Sequence, residues 1–174
     1  MLLPTKLHRP SVGTTLEWRT RLLERLDRNR HRPLTLISAP AAYGKTTLAS
    51  MWLESCGCAS AWVSLDERDD DRLSFTRYLL AAVLGAFPTL TDRTRPLLRS
   101  PETLSVSAVM SSFINDLYQI TEPFILVLDN IHLVKDQAIF DLLGGLLRHP
   151  LPHVNLVLIG RRDPPLPIVS LRAH

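Results

Sequence analysis

The chain has 174 residues, of which 45% are hydrophobic and 21% charged, with a formal net charge of +3. These values are typical of one globular domain that buries its own core, and no internal repeat or low-complexity tract suggests otherwise. The apolar runs are too short for a membrane span and the N-terminus lacks a signal sequence, so we expect a cytoplasmic protein. The small positive charge permits contact with nucleic acid without requiring it.

Apolar periodicity predicts helices and strands in alternation. An apolar stripe at helical spacing predicts a first helix over residues 14–29, capped by Thr14 or Thr15. Strands are predicted at residues 34–38, 60–65, 124–128 and 154–159, and helices at 45–56, 73–87, 106–120 and 137–148. Residues 88–101 are predicted to be irregular or to form a short helix, and residues 168–174 to begin a further helix. Gly144 and Gly145 suggest a tight packing point. This alternation predicts a three-layer α/β fold with a parallel sheet.

The segment between the first strand and the next helix, Ser38-Ala-Pro-Ala-Ala-Tyr-Gly-Lys-Thr-Thr47, has the character of a phosphate-binding loop. Gly44 suits the turn, Lys45 suits the outer phosphates, and the Thr46 hydroxyl suits a Mg²⁺ ion. The first glycine of the usual pattern is replaced by Ala39, so either the turn begins in an ordinary conformation or Pro40 shapes it. A solvated turn with a lysine is the alternative. The predicted nucleotide-binding residues of this loop are Ala39, Pro40, Ala41, Ala42, Tyr43, Gly44, Lys45, Thr46 and Thr47.

Asp129 follows an apolar run of five residues, Phe124-Ile-Leu-Val-Leu128, which predicts a strand buried on both faces. Ligand crevices in parallel α/β sheets lie at the carboxyl ends of the strands. Taken alone, an aspartate here indicates a helix cap or a turn. Together with the loop, it predicts a nucleotide site in which Thr46 and Asp129 hold Mg²⁺.

The residue after Asp129 is Asn130, whose amide cannot accept a proton from an attacking water. We therefore expect at most a slow ATPase, in which Lys45, Asp129, Asn130 and Arg161 would be the catalytic positions. The alternative is that a carboxylate of the acidic segment after the second strand activates water. Its members are Asp66, Glu67, Asp69, Asp70 and Asp71.

Further polar residues have more than one interpretation. Arg161 follows the fourth strand and could contact a γ-phosphate; its neighbour Arg162 is the competitor, and either could simply pair with Asp163. Most other charges are expected on a solvated surface. His132 has no partner at catalytic spacing and is predicted to be structural. Cys56 and Cys58 are interpreted as reduced, partly buried thiols, because no further Cys or His stands at metal-site spacing.

Six segments together give the chain a family resemblance. It resembles the N-terminal nucleotide-binding domain of the MalT-like large ATP-binding regulators of the LuxR type, which are bacterial signal-transduction ATPases with numerous domains. The segments that carry the resemblance are Lys6-Leu7 with Pro10, and residues 19–26, 34–47, 61–66, 124–129 and 161–172.

The resemblance implies a P-loop NTPase fold and an ATP/ADP switch, in which the ATP form of the full-length regulator self-associates to activate transcription. By position it gives Lys45 and Thr46 to phosphate and Mg²⁺, Asp129 to the metal, Arg161 to the γ-phosphate, and the segment from Glu17 to Arg19 to the adenine side. The family usually has glycine at the position of Ala42 and a second acid at that of Asn130.

The resemblance also implies a division of the chain. Residues 1–33 form an N-terminal arm and helix, and residues 34–174 form the NTPase core. We expect a fragment or truncated product that lacks the family's last core strand and its winged-helix, sensor and helix-turn-helix regions. No DNA binding and no membrane contact are expected from it. Two alternatives remain: a P-loop phosphoryl-transfer enzyme, and a non-catalytic interaction module whose nucleotide site has decayed.

Overall fold

Four parallel strands form one sheet in the structure, a computed structural model that describes residues 2–13, 19–88, 90 and 106–166. The strands are β1 (Leu34–Ser38), β2 (Ala59–Ser64), β3 (Phe124–Asp129) and β4 (Val154–Gly160), in the order β1-β4-β3-β2. Each neighbouring pair is parallel, so the carboxyl ends of these strands lie at one edge. The predicted parallel α/β fold is confirmed.

Helices cover both faces of this sheet, as three layers require. On one face, α1 (Thr20–Arg28) and α2 (Lys45–Cys56) pack over one apolar cluster; on the other, α3 (Arg72–Ala86), α4 (Val106–Leu117) and α5 (Gln137–Arg148) pack over a second. The central strand β3 serves both clusters in alternation, because successive side chains of a strand point to opposite faces. None of the described helices is long and apolar enough to cross a membrane.

The boundaries differ from the sequence prediction by more than one residue at two helices. The first helix begins at Thr20, not at residue 14, and Arg19 before it has a non-helical φ of −81° and ψ of 64°. The predicted caps Thr14 and Thr15 lie outside the described residues. Helix α4 ends at Leu117 instead of residue 120, because the next two residues form a turn. The predictions for residues 91–101 and 168–174 also fall outside the described part.

The predicted packing point at Gly144 and Gly145 is wrong. Among the residues that the structure describes, a Cβ atom added to Gly144 would meet nothing within 4 Å outside the backbone of its own helix, and one added to Gly145 would approach only the side chain of Arg148, at 3.9 Å. Neither glycine therefore permits a close approach between α5 and another element.

The N-terminal arm is attached to the sheet by a buried lysine. Lys6 lies in a short 3-10 helix, Pro4–Leu7, and its Nζ contacts Asp69 Oδ2 at 2.7 Å and Asp66 Oδ2 at 2.8 Å. The same ammonium lies 4.8 Å from the centre of the Tyr78 ring. Burial by itself would lower the pKa of Lys6, but the hydrogen bonds and charges of the two aspartates outweigh it and raise the pKa.

The acidic segment after β2 is mostly engaged in holding the structure together. Asp69 is 1% exposed and pairs with Lys6, which corrects the expectation of a solvated surface at this residue. Asp70 Oδ1 accepts from the backbone N–H groups of Lys135 and Asp136, each at 2.6 Å. Asp71 caps α3 by accepting a hydrogen bond from the Ser74 N–H, and this bond lowers the pKa of the Asp71 carboxyl.

Replacing Lys6 by alanine should lower the free energy of unfolding by about 3–5 kcal/mol, because the buried carboxylate of Asp69 would lose its cation. Equilibrium urea unfolding measures this change. Lys135→Ala is the matched control, since that lysine is exposed and only its backbone is bonded. Equal losses in the two variants would contradict a stabilising role of the buried contact.

Candidate functional site

The loop between β1 and α2 ends in Gly44, and the backbone conformation at this position explains why it is a glycine. Gly44 has φ 70° and ψ 30°, the left-handed region that glycine adopts at little cost. Its carbonyl accepts from the Leu48 N–H at 2.9 Å, so α2 starts directly after it. No side chain caps this helix, and its first N–H groups therefore remain available to an anion.

The start of the loop is held by backbone contacts. The Ala39 N–H donates to the Gly160 carbonyl at the end of β4, at 3.3 Å. Lys45 Nζ donates to the Pro40 carbonyl at 2.7 Å, so the lysine side chain folds back over the loop. Ala39 is not among the described residues with positive φ, so the chain enters the turn without a left-handed residue at this position.

Ala42 adopts the left-handed conformation, with φ 64°. An alanine pays for this because its Cβ approaches the following carbonyl, at a cost of roughly 1–2 kcal/mol. The position at which the family usually has glycine is therefore one where the backbone favours glycine. The loop keeps its shape with alanine there, under local strain.

Asp129 and Thr46 meet where β3 ends and α2 begins. Thr46 Oγ1 donates to Asp129 Oδ2 at 2.9 Å, and the Asn130 N–H donates to the other carboxyl oxygen, Oδ1, at 2.8 Å. Asp129 is 4% exposed, and burial raises its pKa, against the opposing effects of the two hydrogen bonds and of the Lys45 charge.

This pair has the chemistry of a magnesium site. A carboxylate and a hydroxyl are oxygen ligands of the kind that Mg²⁺ prefers, and the ion commonly takes one or two carboxylates plus phosphate and water. A cation would also neutralise the buried carboxylate. In the described part of the chain, no three His, Cys, Asp or Glu side chains form a ready-made metal cluster.

Asn130 has a conformational role that the sequence did not reveal. Its φ is 62°, in the left-handed region that asparagine tolerates better than most residues. This turn leads from β3 into a short 3-10 helix, Ile131–Leu133. The lack of a second acid therefore coincides with a backbone position that suits asparagine.

The strand ends place Arg161 and His132 at the same edge of the sheet. Arg161 and Arg162 are exposed after β4, and in the described chain neither makes an ion pair with Asp163. Burial lowers the pKa of His132, and the positive charges of Arg161 and Lys45 lower it further. Neither ring nitrogen of His132 has a hydrogen-bond partner among the residues that the structure describes.

Gly160 is a site residue that sequence reasoning missed. A Cβ there would lie 3.1 Å from the Arg162 carbonyl oxygen and 3.2 Å from Ile131 Cγ2, closer than most real Cβ contacts. The glycine thus lets the turn after β3 pack tightly on the end of β4. Its position as the last residue of a buried strand was the available signal.

Arg19 lies on the phosphate loop itself. Its Nη1 donates to the Tyr43 carbonyl at 2.9 Å, and Nη2 lies 3.7 Å from the point that a Cβ of Gly44 would occupy. The resemblance assigned Arg19 to the adenine side together with Glu17, which lies outside the described residues. The structure places the guanidinium over the turn at Tyr43 and Gly44.

A groove of about 1340 Å³ runs from the loop along the open edge of β1. Its walls combine apolar side chains of α1 and β1 with several cations, namely those of Arg19, Lys45, Arg25, Arg32 and Arg148. This lining suits an anionic ligand that also has an apolar surface.

The chain is similar in sequence to one group of known proteins and in fold to another. A scan against protein-family models finds no match. The whole chain matches the N-terminal part of the HTH-type transcriptional regulator MalT, at 35% identity for the proteins of Serratia proteamaculans and Yersinia enterocolitica. The chain spans 19% of the length of these relatives. The resemblance predicted from the sequence is confirmed.

Two solved structures share the fold. Cdc6p from Pyrobaculum aerophilum superimposes with a TM-score of 0.63 at 14% identity, covering 93% of this chain and 44% of that one. The Aeropyrum pernix Orc1 protein, solved in complex with DNA, gives a TM-score of 0.56 at 21% identity, covering 85% and 40%. The predicted P-loop NTPase fold is confirmed.

Replacing Ala42 by glycine should stabilise the chain by about 0.5–1 kcal/mol, because glycine adopts the left-handed conformation without strain. The greater entropy of glycine in the unfolded state offsets part of this gain. Urea unfolding measures the difference. Ala41→Gly, at an exposed neighbour without positive φ, should stabilise nothing. A destabilising Ala42→Gly would show that the loop is not strained there.

The raised pKa of Asp129 makes the stability of the ligand-free chain depend on pH. The folded state binds this proton more tightly, so the stabilising contribution is full below the ordinary pKa of 3.8 and is lost as the pH rises through the raised value. Asp129→Asn should therefore raise the melting temperature by several degrees near pH 7 and change it less near pH 4.

Asparagine can keep both hydrogen bonds, because its oxygen can accept from the Asn130 N–H while its amide donates to Thr46 Oγ1. Melting curves followed by circular dichroism provide the measurement, with Asp163→Asn on the exposed loop as the control. A lower melting temperature for Asp129→Asn at both pH values would mean that the ionised carboxylate is stabilising.

Proposed function

We propose that this chain is a nucleotide-binding regulatory domain that holds Mg²⁺ with ATP or ADP on the loop between β1 and α2. The observation that carries the proposal is the contact of Thr46 Oγ1 with Asp129 Oδ2 at 2.9 Å, beside a helix N-terminus that no side chain caps. It brings a hydroxyl, a carboxylate and free N–H groups to the place where a polyphosphate would lie.

Each predicted site residue has a proposed role. Residues 39–47 line the phosphates, the backbone N–H groups of residues 41–47 donate to them, and Lys45 leaves the Pro40 carbonyl to bind the outer ones. Thr46 and Asp129 hold Mg²⁺, which when bound neutralises charge on the phosphate oxygens. Arg161, free of Asp163, is available to a γ-phosphate.

Arg19 has a proposed role different from that implied by the resemblance. Its guanidinium already contacts the loop at the Tyr43 carbonyl, so it is placed to bind phosphate rather than only to border the base. The base would then lie in the groove along β1, among aliphatic side chains such as Leu22 and Leu26. In this arrangement the N-terminal arm takes part in binding.

Slow or absent hydrolysis follows from the residues next to Asp129. Asn130 cannot take a proton from water, and most carboxylates of the acidic segment are engaged elsewhere. Asp66 and Asp69 bind Lys6, Asp70 binds two backbone N–H groups, and Asp71 caps α3. These engagements speak against the phosphoryl-transfer alternative, which needs one of these acids as its base.

The relatives suggest the setting of this domain. MalT is a transcriptional regulator by name, and the chain matches its N-terminal part. We propose that residues 1–33 act as an arm and residues 34–174 as the core of a cytoplasmic ATP/ADP switch. DNA binding and the self-association of the ATP form would depend on a full-length regulator.

The test is calorimetric titration of Mg-ATP and Mg-ADP into the wild type, Lys45→Ala and Lys135→Ala. Loss of a charged contact to phosphate should weaken binding by about 10- to 100-fold in Lys45→Ala. Lys135→Ala, at an exposed lysine, should bind like the wild type.

Equal binding by Lys45→Ala and the wild type would contradict the proposed loop. Absence of binding in all three proteins would favour the interaction module, to which the strained Ala42 also points. A separate assay of phosphate release should give turnover well below about 1 per second. Faster turnover would contradict the switch and favour an enzyme.

A further inference from the structure

Two cysteines lie on either side of the glycine that ends α2, away from the nucleotide site. Cys56 is the last residue of the helix, Gly57 caps it in the left-handed conformation at φ 62°, and Cys58 leads into β2. The turn brings Cys58 Sγ to 3.7 Å from the Cys56 carbonyl. Both thiols are free and half-buried.

The surroundings of the two sulfur atoms differ in charge. Arg30 Nη1 lies 3.7 Å from Cys58 Sγ, and the same guanidinium nitrogen pairs with Asp27 at 3.5 Å, which holds it in place. A neighbouring guanidinium favours the thiolate form of a cysteine. Cys56 Sγ instead faces the Leu53 carbonyl at 3.7 Å.

Burial raises the pKa of the Cys56 thiol, and the neighbouring Cys58 thiol and the charge of Asp27 raise it further, although a Cys58 backbone hydrogen bond acts in the opposite direction. These contacts disfavour the thiolate of Cys56, whereas Cys58 is the sulfur that lies beside a guanidinium. The pair is chemically asymmetric, as a nucleophile and a resolving thiol must be.

A cavity lies next to one thiol of this pair. It has a volume of about 670 Å³, lies between α1 and the end of α2, and is lined by Cys56 and Arg30. Cys58 does not line it but is itself only half-buried. The other walls of the cavity are mostly polar side chains of α1, which suit a small polar oxidant. A small oxidant suits this cavity better than a metal ion does, because no cluster of three ligand residues occurs in the described part of the chain.

We propose that Cys56 and Cys58 form a peroxide-sensitive dithiol, in which Cys58 attacks the oxidant and Cys56 resolves the product. The Cys58 thiolate attacks one oxygen of a hydroperoxide; the S–O bond forms, the O–O bond breaks, and the departing oxygen takes up a proton. Cys56 Sγ then attacks the Cys58 sulfenic acid, the S–S bond forms, and hydroxide leaves with the Cys56 proton as water.

Over both steps the protein loses two hydrogen atoms. The peroxide is reduced to an alcohol, or to water if it is hydrogen peroxide, and the sulfenic acid oxygen leaves as one molecule of water. The left-handed Gly57 lets the short turn close, and a Cβ there would meet nothing within 4 Å. The product would tie the end of α2 to the start of β2 within one chain.

The test is treatment of the whole chain with hydrogen peroxide, followed by alkylation, thiol titration and intact mass. With two cysteines in the sequence, the wild type should lose both thiols together and lose the mass of two hydrogen atoms. Cys56→Ser should stop at a sulfenic acid on Cys58 that dimedone traps. Thiol reductant should restore both thiols in the wild type.

Arg30→Gln should slow the reaction of Cys58 by a factor of about 3 to 10, because the thiolate loses its cation. Arg28→Gln is the matched control: Arg28 lines the same cavity but pairs with Glu24. The proposal is overturned by thiols that stay titratable, by added oxygen in place of hydrogen loss, or by dimers whose yield rises with protein concentration.

Discussion

The hydrogen bond between Thr46 and Asp129 joins residues 83 positions apart and is the contact on which the candidate site depends. It forms only because β1 and β3 run parallel on either side of β4, so that the helix after β1 begins beside the end of β3. Any change in register would separate the hydroxyl from the carboxylate. The site is therefore a property of the sheet as much as of the loop.

The same contact places a carboxylate where burial disfavours its charge. Asp129 is almost fully buried, and its nearest compensation is two hydrogen bonds and the charge of Lys45. A buried carboxylate with so little compensation makes the folded chain less stable near neutral pH than a neutral side chain there would. Strain at Ala42 adds to that cost in the loop next to it.

The N-terminal arm links two parts of the molecule that lie far apart in sequence. Lys6 neutralises Asp69 in the segment after β2, whereas Arg19 reaches the phosphate loop. The N-terminal segment thus brings one cation to the acids after β2 and another to the loop between β1 and α2.

The sequence by itself determined the order of helices and strands, the parallel α/β class and the position of the loop. These depend on apolar periodicity and on glycine, which act over a few neighbouring residues. The family resemblance came from the same short segments. The predicted start of the first helix was wrong. The apolar stripe of the sequence continues upstream of Arg19, but the backbone of Arg19 is not helical.

Only the tertiary structure decided which distant side chains meet and which backbone positions turn left-handed. The pairing of Lys6 with Asp69, the close packing at Gly160 and the positive φ of Asn130 each arise from elements brought together by the sheet. Gly144 shows the converse, because no described atom of another element lies within 4 Å of the place of its missing Cβ, and the glycine pair in the sequence did not reveal this. Local patterns encode elements, whereas contacts between elements depend on how their cores pack.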